Sequence, residues 1–189
     1  MPDQPARLHF AGEAEADTLL AADPLALLIG FVLDQQVTVQ KAFSGPLELK
    51  RRLGSLSADR IASMDREALL ATFRERPALH RFPGSMAQRV QELCAAVERD
   101  FGGDASRIWS EATDAKDLER RLLSLPGIGD MKARTIVAVL VKQFGIRPSG
   151  WEAALPAHPT LGDVDSPEAL QQYQAGKRAH KAELRARSG

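Results

Sequence analysis

The chain has 189 residues, 44% of them hydrophobic and 26% charged, with 25 Lys and Arg balancing 25 Asp and Glu. These values exclude a disordered, collagen-like or heptad-only chain and a polycationic nucleic-acid coat, and they bound the fold to one domain or two small lobes over a shared core. A single cysteine, Cys94, rules out an internal disulfide or a four-cysteine iron–sulfur site, and the longest apolar run, Leu25 to Leu33, is half of the roughly 18 residues a bilayer needs.

In chain order, residues 1–22 form an acidic N-terminal segment. Residues 1–34 hold six acids against Arg7, and Asp3, Glu13, Glu15 and Asp17 stand where a secretory signal would want positive charge and then an apolar run. No export and no membrane partner are expected, and a cytoplasmic location follows. Asp23-Pro24 opens a helix that Leu25, Leu27, Leu28, Ile29, Phe31, Val32 and Leu33 make apolar almost all round, which predicts a central buried element. Ser57, Asp65, Ser85, Asp114 and Ser166 are N-cap candidates, and Gly54, Gly102 and Gly145 suit left-handed C-terminal caps. Strand signals are nearly missing, so the chain reads as all-α, with eight to ten short helices.

From Ser85 to Phe101, Met86, Val90, Leu93, Cys94, Val97 and Phe101 form one stripe of a 3.6-residue helix, which makes Cys94 a small buried hydrophobe rather than a reactive thiol. His9, His80, His158 and His180 are too dispersed for a zinc site, so no metal is expected. Residues 131–147 carry Lys132, Arg134, Lys142 and Arg147 with no acid, and residues 177–189 hold five cations against Glu183, a C-terminal helix with a basic tail.

The most specific feature is Leu125-Pro126-Gly127-Ile128-Gly129, between a helix from Asp114 to about Ser124 and another from Asp130 to Phe144. Two glycines in five residues allow positive φ and close approach of another backbone. The second helix is locked by an apolar face of Ala133, Ile136, Val137, Leu140, Val141 and Phe144. The amides around Gly127 and Gly129 are then free to hold one phosphate of a nucleic-acid strand without reading its bases.

At this hairpin the sequence resembles the helix-hairpin-helix-GPD (HhH-GPD) superfamily of base-excision DNA glycosylases, the group with endonuclease III, the adenine mismatch glycosylase and the bacterial 3-methyladenine glycosylases. The likeness runs from about Asp23 to Glu152. It includes Leu28 to Val39, an apolar helix ending in the Gln35-Gln36 turn, and Met86-Ala87-Gln88-Arg89-Val90, in place of the family's Lys-Ala helix. It looks closest to a bacterial branch without the iron–sulfur cluster. The resemblance implies an HhH-GPD-like domain of two helical lobes over residues 23–165, followed by a C-terminal helix and tail at 166–189.

The resemblance also implies double-stranded, damaged DNA as partner, a nucleoid-associated monomer, and hydrolytic removal of a flipped base. The implied DNA contacts are Gln35 filling the vacated stack, Phe82 as apolar wedge beside Arg81, and Gly127, Ile128, Gly129, Lys132 and Arg134 around the hairpin. Counting from Phe144-Gly145, the family's downstream carboxylate, usually in Val-Asp-Thr, falls at Glu152, with Trp151 beside it as base-pocket candidate. The Schiff-base lysine of bifunctional members is Met131 here, and Lys132, about 100° further round the helix, is expected to face elsewhere, so no strand cleavage is expected. No cofactor is implied beyond a monovalent cation on hairpin carbonyls. A binder of damaged or bent DNA without catalysis, and a protein-interaction scaffold using the acidic N-terminus, are the competing readings.

Overall fold

A computed structural model describes residues 4–189; Asp3 lies outside the described residues. Within them the chain folds into α1 (Ala14–Ala22), α2 (Pro24–Leu33), α3 (Val39–Leu53), α4 (Ala58–Ser63), α5 (Arg66–Arg74), α6 (Pro83–Phe101), α7 (Arg107–Ser110), α8 (Ala115–Leu123), α9 (Asp130–Gln143), α10 (Trp151–Ala154) and α11 (Pro167–Arg187), with a 3₁₀ turn at Leu161–Asp163. No strand occurs among the described residues. The count exceeds eight to ten because α7 and α10, of four residues each, are too short to show an apolar period.

The starts and stops follow local chemistry. The Asp23 carboxylate accepts the amides of Leu25 at 2.9 Å and Ala26 at 3.3 Å, and Pro24 occupies the first helical position. Ser57, Asp65, Asp114 and Ser166 each cap with their side chains, and Gly54 and Gly102 end α3 and α6 in the left-handed conformation. Ser85 does not cap: Pro83 fixes φ for the first turn of α6, so the boundary moves back to Phe82.

Every residue of α2 from Leu25 to Leu33 is buried. It packs closely on α3, with side chains of each helix seated over a glycine of the other. A Cβ on Gly30 would lie 2.5 Å from the Phe43 ring, and one on Gly45 would lie 2.5 Å from Leu33 Cδ1. Phe43 meets Phe10 and Phe31 edge-on, each at 5.1 Å between ring centroids. Helices α1–α6 pack mainly on one another and α7–α11 on one another, and one hydrophobic cluster joins the two lobes. Cys94 lies inside it, where burial pushes its thiol up to about 12.

The N-terminal acids serve contacts within the chain. Asp17 is buried and accepts the amides of Phe10 at 2.9 Å and Ala11 at 2.8 Å, while Glu13 and Glu15 pair with Arg51. Residues 8–21 therefore belong to the same core as α2, through Leu8, Phe10, Ala16 and Leu20.

Candidate nucleic-acid interface

The loop between α8 and α9 alternates inward and outward residues. Leu125 and Ile128 are buried, and Gly127 and Gly129 are exposed. The Ile128 amide donates to Leu125 O at 3.2 Å, closing a tight turn whose side chains anchor it to the core. Gly127 needs its missing Cβ twice over: its φ is +83°, and a Cβ would meet Val32 Cγ2 at 3.3 Å. At Gly129 φ is −94° and no atom lies within 4 Å of a Cβ built there, so the space beside it is open. No side chain caps α9, and the amides of its first turn point outward with the positive end of the helix dipole behind them.

That surface, with Gly127, Gly129, Asp130, Met131 and Lys132, lines a shallow, open cleft of about 400 Å³. Gln35 and Arg89 complete its lining. Gln35 sits in the turn after α2, where its amide donates to Leu33 O at 2.7 Å, and the next residue, Gln36, is held at φ +56°. Backbone strain of that kind persists where surrounding contacts impose it. The Arg89 guanidinium donates to Gln35 Oε1 and fixes the side chain at the cleft.

Leu33 O has a second partner. The buried His80 ring bonds to it through Nε2 at 3.0 Å, and His80 Nδ1 accepts the Phe82 amide at 2.9 Å. Phe82 stays 38% exposed, with the Arg81 guanidinium 5.3 Å from its ring centroid. The loop of Phe82 and the turn of Gln35 thus hang from one carbonyl.

Asp34, at the end of α2, and Lys132, in the first turn of α9, lie within each other's electrostatic influence, and each is pushed toward its neutral form. Burial raises the Asp34 pKa, opposed by Lys177 and Lys132; burial lowers that of Lys132, opposed by Asp34 and reinforced by Arg89. Lys132 therefore does not face elsewhere as expected. In the first turn the cleft takes both its half-buried stem and the exposed Met131, whose side chain stands 80% open to solvent.

A family model for HhH-GPD superfamily base excision DNA repair proteins matches residues 29–187. The chain belongs to this superfamily. No curated protein matches it. As an HhH-GPD protein it has a function of the base-excision-repair kind and DNA as its partner.

Around this HhH-GPD hairpin the sequence candidates divide. Gln35, Gly127, Gly129 and Lys132 line the cleft, and Phe82 with Arg81 is tied to it through His80. Ile128 turns inward and offers only its main chain. Arg134 is on the outer side of α9, 3.7 Å from Glu119. Trp151 and Glu152 lie at the other end of the hairpin. The Ala115 amide at the start of α8 donates to Ser149 O at 2.9 Å, so α10 begins beside the end of α9, about 20 Å along that 14-residue helix from Gly129. There Trp151 stacks with Arg147, and Glu152 is exposed.

Three residues escaped sequence reasoning. Asp34 closes the otherwise apolar α2, and an acid at that place is itself a sequence signal. Arg89 belongs to the Met86–Val90 segment, where no local pattern marks it as the partner of Gln35. Val164-Asp165-Ser166 resembles the family's Val-Asp-Thr in form, and α10 and the 3₁₀ turn intervene between it and Phe144-Gly145. Val164 O accepts from Gln143 Nε2 at 3.3 Å, so this tripeptide also begins near the far end of α9. Of the hairpin carbonyls on which the family resemblance puts a monovalent cation, Leu125 O already accepts Ile128 N–H, and no catalytic step relies on the ion.

Proposed function

We propose that this HhH-GPD protein is a monofunctional DNA N-glycosylase that flips a damaged base from duplex DNA and removes it by hydrolysis. The observation that supports the reading is the cleft in which exposed hairpin amides and Lys132 face the Arg89-held Gln35. The amides of Gly129 and the first turn of α9 hold a phosphate. Extrusion of a base costs a few kcal/mol, offset by Phe82 entering the stack as an apolar wedge and Gln35 occupying the gap.

Cleavage of the glycosidic bond leaves positive charge on the sugar, and a nearby carboxylate lowers that barrier and orients the attacking water. Asp34 is the acid we assign to this role, because it adjoins Gln35 and feels the charge of Lys132, whereas Glu152 stands a helix length away. Lys132 and Lys177 favour the ionised carboxylate against its burial.

One observation favours a second reading. Lys132 lines the cleft and burial lowers its pKa, so its neutral amine is a candidate to attack the sugar and form a Schiff base. Duplexes carrying deaminated, alkylated or oxidised bases, incubated with the protein and then with alkali, test the first reading: strand breaks appear only after alkali. Breaks without alkali and a borohydride-trapped adduct that Lys132→Ala abolishes establish the second. Binding without excision on every lesion leaves a damage-binding protein.

A further inference from the structure

Helix α11 changes character midway. Leu170 is buried, and Gln174 exchanges side-chain amides with Gln40 at 3.1 and 2.5 Å, so the first half docks on the body; from Ala175 onward every residue is exposed. At about 100° per residue, with Lys177 at zero, Leu170 and Gln174 fall near 20° and 60° on the helix circumference. Lys181, Arg185 and Arg178 fall near 40°, 80° and 100°, while Glu183 falls near 240°. The face that packs against the protein in the first half is therefore the face that carries four cations in the second.

A helix gains nothing from this pattern alone. Lys177, Lys181 and Arg185 follow one another at four-residue spacing, where like charges repel. The place is also defined: Gln174 meets Gln40 in the first turn of α3, a few residues after the Asp34-Gln35 turn, and Lys177 is one helical turn further on, where its charge opposes the upward shift of the Asp34 carboxyl. Lys177 reaches the Tyr173 ring, 5.2 Å from its centroid, and beyond it the row is open to solvent. Such a cationic row matches an anionic surface in charge and in length, since about 12 Å of helix spans three or four phosphates of one strand.

We propose that Lys177, Arg178, Lys181 and Arg185 form a second contact with duplex DNA, lying along the backbone phosphates to one side of the hairpin cleft. This rests on the DNA-directed cleft assigned above. It makes the C-terminal helix a sequence-independent clamp whose contribution depends on salt, while the hairpin holds the strand at the lesion.

The test uses the full chain with all four cations changed to Ser, beside Gly129→Ala, and measures binding to a duplex of about 20 base pairs across a salt series. The fourfold variant is expected to keep its helix content and thermal midpoint, because the changed residues are exposed. Its log–log salt slope should fall by about 3 and its affinity at low salt by tens of fold. Gly129→Ala should weaken binding with a slope change of one or less. An unchanged slope and affinity in the fourfold variant, while Gly129→Ala weakens binding, overturns the clamp and leaves the cleft standing. Wild-type binding that is flat with salt overturns both. Loss of binding to anionic lipid vesicles with DNA affinity unchanged also overturns the clamp.

Discussion

His80 Nε2 lies 3.0 Å from Leu33 O, the same carbonyl that accepts the Gln35 amide at 2.7 Å. Because His80 Nδ1 accepts the Phe82 N–H, the proton must sit on Nε2 and the ring must be neutral. Burial holds its pKa below the ordinary 6.5, against the opposing pull of the Leu33 carbonyl. The unfolded chain then takes up a proton near 6.5 and the folded one only at lower pH. The stability contributed is complete above 6.5, is lost as pH falls from there toward the folded pKa, and stays lost below it. The thermal midpoint of the wild type should therefore fall more between about pH 7 and pH 5 than that of His80→Gln. A difference between the two proteins that does not change with pH contradicts this. At about pH 7.5, His80→Ala should cost about 2–3 kcal/mol through the orphaned carbonyl and amide and the cavity.

The two hairpin glycines should separate folding from binding. Gly127→Ala meets both a positive φ and Val32, and should lower stability by about 1–2 kcal/mol. Gly129→Ala has an allowed φ and empty space, so its thermal midpoint should match the wild type, while its methyl group obstructs a phosphate and weakens duplex binding about tenfold or more. Calorimetry and fluorescence anisotropy on both variants decide it; wild-type affinity in Gly129→Ala would mean that the strand does not approach there.

Phe82→Ala removes a 38% exposed ring whose polar contact is with the neighbouring Arg81, while its main-chain bond to His80 remains, so folding should be little affected. Its loss as a wedge should reduce excision by roughly tenfold with less change in binding to undamaged duplex, since the wedge acts on unstacked DNA. Single-turnover excision beside binding isotherms measures both.

The carboxylate assignment is tested by Asp34→Asn against Glu152→Gln. The first should abolish excision and retain duplex binding; the second, exposed at the far end of α9, should change neither. Turnover surviving in Asp34→Asn with loss in Glu152→Gln would return the role to Glu152, and loss only in Asp165→Asn would move it to Asp165.

Much of this fold was legible because it depends on short-range signals. Asp23-Pro24, Ser57, Asp65, Asp114 and Ser166 announce helix starts by their own hydrogen bonds, and the apolar period of residues 133–144 locates α9. The hairpin was legible for the same reason, since all its special residues are consecutive. The cleft was not: Gln35 meets Arg89 across 54 positions, and His80 reaches Leu33 across 47. Such pairings depend on how α2 crosses its neighbours, which no local pattern records. The misplacement of Lys132 has a different cause: the 100° rule gives direction around a helix, but a cleft at a helix end is wide enough to receive two successive side chains. Counting from Phe144-Gly145 to Glu152 is a weak guide for the same kind of reason, because a loop containing two short helical turns has no fixed length.

The close crossing at Gly30 and Gly45 has a consequence for how a lesion is found. It packs α2 tightly on α3, and the end of α2 ties the loop of Phe82 and the turn of Gln35 to one carbonyl, like two jaws on one arm of a gauge. The deformation on engagement then falls on the duplex, and sites whose stacking is already weakened are the cheapest to fit to that gauge. Discrimination would begin in the flexibility of the DNA, before any atom of the damaged base is touched.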